Sequence, residues 1–157
     1  MTKIGPKTTE VVVMSFGLKQ LEDERADVQV EVASLCRRIA NAQLVIDVSG
    51  LPNPHYIDTL RALTGRDDAI AEYLMQQPET VQLLDSVGEQ LCVLLNSYQA
   101  RGNNHGVVTI AFRCTGGKHR SQFFAERAAL MVNDIVSRWD EPAKVTVEHV
   151  RDKWASK

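Results

Sequence analysis

Apolar residues fall along this chain in two rhythms. Val11 to Met14, Leu44 to Val48 and Val107 to Phe112 are short unbroken runs rich in β-branched residues, the pattern of strands covered on both faces. Val145, Val147 and His149 alternate with Thr146, Glu148 and Val150 and predict a fourth strand. Between the runs the spacing changes to three and four. Val28, Val32, Leu35 and Ile39 mark a helix within Leu21 to Asn41, and Phe124, Ala128, Met131, Ile135 and Trp139 mark another. Asp68 is placed to cap a helix through Met75, and Thr80 a longer one carrying Val81, Leu84, Val87, Leu91, Leu94 and Tyr98 to near Gly102. Thr59 to Leu63 reads as one or two helical turns closed by Gly65. The order βαβααβαβ predicts a single α/β domain with a sheet of about four strands and helices packed on it, leaving strand order and direction open. Residues 1–10 read as a polar start, 11–152 as the domain and 153–157 as a tail.

Composition narrows the function classes. The 157 residues are 44% hydrophobic and 24% charged, enough for a real core, and the net charge of −2 makes any nucleic-acid site local rather than a property of the whole surface. Cys36, Cys92 and Cys114 are widely separated, and neither they nor the four histidines show metal-ligand spacing. Neither a metal nor a cofactor is expected. With no signal peptide and no apolar run of membrane-spanning length, the chain reads as cytoplasmic, without a membrane partner.

One stretch carries the chemistry. FRCTGGKHRS, Phe112 to Ser121, joins a strand to the start of a helix. Gly116 and Gly117 permit positive φ and close approach of a ligand, and the first amides of a helix are donors without intrahelical partners. Arg120 can add a fork, Lys118 and His119 further nitrogen donors, and Thr115 and Ser121 hydroxyls, a set that suits a phosphate group.

Three readings compete for this loop. A nucleotide P-loop, G-x4-G-K-[ST], needs Gly at Phe112 and Ser or Thr at His119, and is rejected. A cysteine-dependent phosphatase would use Cys114 as nucleophile and Arg120, six residues on, as phosphate clamp, with Asp47 or Asp58 as general acid. Against it, Arg113 stands where such loops usually carry His. The third reading is phosphate-group binding without chemistry, Cys114 being a small apolar residue at a strand end.

CTGGKHRS, with MSFGLK at Met14 to Lys19, LPNPHY at Leu51 to Tyr56 and LTG at Leu63 to Gly65, resembles the C-terminal domain of the RapZ RNase adapter proteins, from about Val11 to about Asp152. RapZ proteins carry a P-loop NTPase domain in front of this module, and the sequence given reads as the module without it. The resemblance implies a domain that senses an amino-sugar phosphate, glucosamine 6-phosphate, binds small regulatory RNA and self-associates as a homo-oligomer. It implies a ligand site from Cys114 to Ser121 with Ser15, Asp47 and His55, and an RNA surface including Lys19, His55, Lys118 and Arg151.

The sequence also departs from the pattern. Asp47-Val48-Ser49 stands where the family reads Asp-Val-Arg, removing one cation. The segment Leu21 to Asn41 is longer than the family's link and reads as an insertion or a rebuilt connection. Val150 interrupts the terminal His-Arg-Asp run, and the basic tail is short, so RNA affinity is expected to be weaker than the pattern implies.

Overall fold

The computed structural model describes residues 7–101 and 106–154. The expected positions near Gly102 and His105, and the tail beyond Trp154, lie outside the described residues. Four strands, β1 (Glu10–Gly17), β2 (Leu44–Asp47), β3 (Val107–Cys114) and β4 (Lys144–His149), form one parallel sheet in the order β2-β3-β1-β4. Around it lie α1 (Leu18–Leu21), α2 (Gln29–Ala40), α3 (Asp68–Met75), α4 (Pro78–Arg101), α5 (Arg120–Val136) and α6 (Val150–Trp154). The single α/β domain with a four-stranded sheet is therefore observed, with α1 and α6 added to the expected alternation.

Side chains leave a strand to opposite faces at every residue, and the two central strands feed two cores. Val11 and Val13 of β1 join Ile110 and Phe112 of β3 beneath Leu91 of α4 and Phe124 of α5. Met14 and Phe16 face the other way with Ala111, beneath Val28, Leu35 of α2, Val150 and Trp154. The link from β1 to β2 thus runs over one face, by way of α2, and the link from β3 to β4 over the other, by way of α5. Since β1 and β3 are neighbours, their carboxyl ends part there and open a crevice, the place where open parallel sheets bind ligands. Gly17 and Cys114 are register partners at its edge.

Several local expectations are corrected. The helix read within Leu21 to Asn41 is observed as α2, which starts only at Gln29, after a 3-10 turn at Ala26–Val28. The cause is local: Asp23 takes a forked pair from Arg25, and the Gln29 side chain donates to the carbonyls of Asp23 and Arg25. Asp67, not Asp68, stands at the N-cap of α3, and its carboxylate accepts the Thr64 amide at 2.7 Å. Pro78 opens α4, where its missing N–H costs nothing, so Thr80 lies inside the first turn rather than at the cap. Thr59 to Leu63 forms irregular turns after a 3-10 turn at Pro54–Tyr56. The helix at the C-terminal end continues to Trp154, past the boundary read at Asp152; Trp154 is 9% exposed, and its indole N–H donates to Asp23 at 2.9 Å.

Gly65 ties the turn after Leu63 to the start of α5. Its amide donates to the Lys118 carbonyl at 2.9 Å, and a Cβ there would meet the His119 carbonyl oxygen at 2.3 Å and the Phe123 amide at 2.4 Å. Gly65→Ala is expected to lower unfolding free energy by about 1–3 kcal/mol through overpacking against backbone. Gly50→Ala, where a Cβ meets nothing within 4 Å, should stay within about 0.5 kcal/mol of the parent. Equal urea midpoints for the two variants would contradict this account.

Candidate functional site

The loop from Cys114 to His119 is fixed by its carbonyls. Thr115 O accepts the Lys19 amide at 3.1 Å, Gly116 O the Gln20 side chain at 3.3 Å, Gly117 O the Gln122 side chain at 3.1 Å and Lys118 O the Gly65 amide. His119 O takes the Phe123 amide as α5 begins. Every carbonyl from residue 115 to 119 is thereby bonded within the protein. The Gly117 amide donates to Cys114 Sγ at 3.2 Å, and the amides of Gly116, Lys118 and His119 have no protein acceptor among the described residues. Gly117 sits at φ +72°, and a Cβ on it would reach 2.7 Å from the Gly17 amide; one on Gly17 would meet Gly116 and Gly117 backbone at 2.5 Å. Only glycine allows the two chains to touch.

Behind the loop, Cys114 is 2% exposed, and its Sγ lies 3.1 Å from the Ser121 hydroxyl, which is itself fully buried. Ser121 therefore supports Cys114 and does not line the cleft. Arg120 departs from its expected role. Its Nη1 donates to the carbonyls of Ser49 at 2.5 Å and Leu51 at 2.9 Å, clamping the Leu51 to Tyr56 segment to α5, while its buried Nε has no partner. The fork read as a free anion clamp is half committed to the protein.

Two expected ligand contacts lie elsewhere. Ser15 is fully buried with its hydroxyl 2.7 Å from His149 Nδ1, and His149 Nε2 is 2.7 Å from Glu126, an internal chain joining β1, β4 and α5. Asp47 pairs with Arg113 at 2.8 Å and accepts the Ser49 amide at 2.9 Å; the Arg113 guanidinium, first, and Ser49 lower its pKa to about 2. Neither residue lines the cleft.

The remaining expected residues are brought together, except Gly117, which does not line the cleft and whose amide turns to Cys114 Sγ. A cleft of about 400 Å³ is lined by Cys114, Thr115, Gly116, Lys118, His119 and Arg120, joined by Lys19, His55 and Arg151 from three other segments. The ligand loop and the surface assigned to RNA are thus one cavity. Its lining holds five Lys and Arg side chains and no Asp or Glu. Crowding is visible in the charges: burial and then the nearby Arg151 push the Lys118 pKa down. Burial, followed by the Lys118 charge, lowers that of His119, although the carbonyls of Leu63 and Arg61 act the other way. His119 Nε2 is buried without a hydrogen-bond partner.

Gln20, Asn53, Tyr56 and Arg61 also line the cleft and were not expected to. Arg61 is held by Asp58 at 2.9 Å and by the His55 carbonyl at 2.8 Å, and its own carbonyl receives Lys118 Nζ at 2.7 Å. Its signal was position, shortly after the LPNPHY stretch, which sends Asn53, His55 and Tyr56 to this cleft. Among the described residues no cluster of three or more His, Cys, Asp or Glu could hold a metal ion, and no helix is long and apolar enough to cross a membrane.

His119 gives the site a pH signature. Its folded pKa lies below the ordinary value of about 6.5, so its contribution to stability is present above that value and is lost as pH falls through the lower folded one. Unfolding free energy measured from about pH 7.5 down to about pH 5 should fall less steeply in His119→Gln than in the parent; identical slopes would remove the assignment.

A model of the RapZ C-terminal domain family matches residues 9–152. A nucleotide-binding protein of Acidothermus cellulolyticus is 47% identical over 90 residues, which cover 57% of this chain and 28% of that protein. One from Rhodospirillum rubrum is 39% identical over 135 residues, 84% of this chain and 40% of its own length. One from Mycobacterium tuberculosis is 38% identical over 122 residues, 78% and 35%. The chain spans 28–40% of the length of these relatives. Matched across all four strands and the whole of the loop, this chain belongs to the RapZ C-terminal domain family.

Proposed function

We propose that this RapZ-type regulatory domain binds a phosphorylated ligand in the cleft at the ends of β1 and β3. The observation that carries the reading is the polarity of the loop: five carbonyls bonded inside the protein, amides at Gly116, Lys118 and His119 without protein acceptors, and a rim of cations free of carboxylates. A phosphate group answers that imbalance with charge and acceptors together. The family implies an amino-sugar phosphate, glucosamine 6-phosphate, as the small ligand. It also implies small regulatory RNA, for which Lys19, His55, Lys118 and Arg151 supply backbone contacts. Self-association and a cytoplasmic setting belong to the same family-based proposal. The relatives are named nucleotide-binding proteins, but this loop does not meet the P-loop pattern, and nucleotide binding is not proposed for it.

A cysteine-dependent phosphatase is the second reading, favoured by the Gly117 amide that donates to Cys114 Sγ and the Ser121 hydroxyl 3.1 Å from it. It is weaker because no carboxylate lines the cleft to protonate a leaving group and because Arg120 is held by Ser49 and Leu51. Aryl phosphate turnover lost in Cys114→Ser would favour it over simple binding.

Titration calorimetry with glucosamine 6-phosphate should give saturable binding, weakened about tenfold in Lys118→Ala, the size of one charge-assisted hydrogen bond. No heat at millimolar ligand would remove the sensor reading. Because the RNA contacts share the cleft, saturating sugar phosphate should release bound RNA in a mobility-shift assay at fixed salt; RNA that stays bound would place its site elsewhere.

A further inference from the structure

Gly117 is glycine for reasons inside the protein, a positive φ and the Gly17 amide 2.7 Å from where a Cβ would stand. Gly116 has neither reason. Its φ lies outside the left-handed region, and a Cβ on it would meet nothing within 4 Å. Yet it lines the cleft, with an amide that has no protein acceptor among the described residues. What a side chain would displace there is a ligand atom brought against the main chain. Around that position the free donors are many. The amides of Lys118 and His119, the Thr115 hydroxyl and the buried Arg120 Nε–H also lack acceptors among the described residues, and all four residues line the same cleft. The Lys118 ammonium gives one hydrogen to the Arg61 carbonyl at 2.7 Å and keeps others. A phosphate monoester meets such a set with three acceptor oxygens and about two negative charges near neutral pH, whereas a diester within a nucleic-acid chain has two non-bridging oxygens and one charge. The cations also gather round one cavity of about 400 Å³, while sites that track a strand spread theirs over several nucleotides. Tyr56, exposed on the same wall, offers an aromatic face on which an end nucleoside can stack.

Resting on the phosphate and RNA readings above, we propose that the cleft takes a terminal phosphate monoester, so that an RNA is held by its phosphorylated end and not by diesters within its chain. The sugar phosphate and the RNA end then present the same group to the same donors and exclude each other for that reason. Lys19, His55 and Arg151, which come from other segments, are left to contact the nucleotides next to that end.

The test is a set of titrations of the parent protein at fixed salt with one short single-stranded RNA carrying a 5′-phosphate, a 3′-phosphate or hydroxyls at both ends. At least one phosphorylated form is expected to bind about tenfold tighter than the hydroxyl form, the size of one charge-assisted hydrogen bond, and the end that gains gives the direction in which the strand enters. A hydroxyl-ended RNA one nucleotide longer carries its extra phosphate as a diester and should show no comparable gain; if it does, charge alone explains the effect and the proposal is overturned. Inorganic phosphate and glucosamine 6-phosphate should each abolish the gain by competition, and a gain that survives both places the RNA end outside the cleft and overturns it too. Equal affinities of the three forms overturn the proposal and leave the phosphate reading to rest on the sugar phosphate. RNA that binds in no form while glucosamine 6-phosphate binds has the same consequence, and failure of both classes of ligand removes the phosphate reading together with this inference. Gly116→Ala gives a second measurement. Its urea midpoint should match the parent's, since the added methyl meets no protein atom within 4 Å, while the ratio of phosphorylated to hydroxyl affinity falls toward one. A ratio that stays near tenfold contradicts the seat assigned to Gly116, and a lowered midpoint would give that glycine a reason inside the protein and remove the observation from which the proposal starts.

Discussion

The contact on which the site depends is backbone against backbone, where Gly17 at the end of β1 meets Gly116 and Gly117 in the loop after β3. A side chain at Gly17 or Gly117 would drive the two segments apart by more than a flexible neighbour could absorb, since the atoms it would strike are main-chain atoms at 2.5 to 2.7 Å. Gln20 then spans the junction, accepting the Gly17 amide at 2.6 Å and donating to Gly116 O. This closeness lets a loop from one strand bond through its carbonyls to the segment following the other. The sheet order makes it possible: parallel neighbours whose outgoing links run over opposite faces leave their carboxyl ends uncovered.

Gathering cations at one place costs free energy, and the structure distributes that cost. Lys19 follows β1, Arg61 lies in the turns after β2, Lys118 follows β3 and Arg151 opens α6 after β4, so each strand exit or its turn contributes one. Lys118 is anchored to the Arg61 carbonyl, Arg61 to the His55 carbonyl as well as to Asp58, and the carboxylates of Asp47 and Asp152 are drawn to Arg113 and Arg66. The positive field is left uncancelled where the amides lack acceptors. A helix start alone would be a modest anion site; with these charges it becomes one that a phosphate can satisfy from several directions.

What could be read from the sequence divides along physical lines. Strands β1 and β3 were legible because burial on both faces leaves continuous apolar runs, and α5 because its stripe faces a core. The glycines and cations of the loop were legible because their chemistry is local. The partners that turn a side chain inward were not. Nothing local says that Ser15 will meet His149, 134 residues away, or that Arg120 will reach back 71 residues to the Ser49 carbonyl. Helix starts were misplaced for a related reason: the Thr64 amide bonds to Asp67, and that residue rather than Asp68 stands at the cap of α3.

The replacement of the family's arginine by Ser49 shows how register can offset a local loss. Asp47 and Arg113 are register partners across β2 and β3, and their side chains form the 2.8 Å pair that holds the Asp47 pKa at about 2. The cation absent at position 49 is thus answered on the neighbouring strand, by the residue whose identity argued against a phosphatase loop. Asp47, held by Arg113, stays outside the cleft, and Ser49 contributes its carbonyl to Arg120, which ties the segment after β2 to the start of α5.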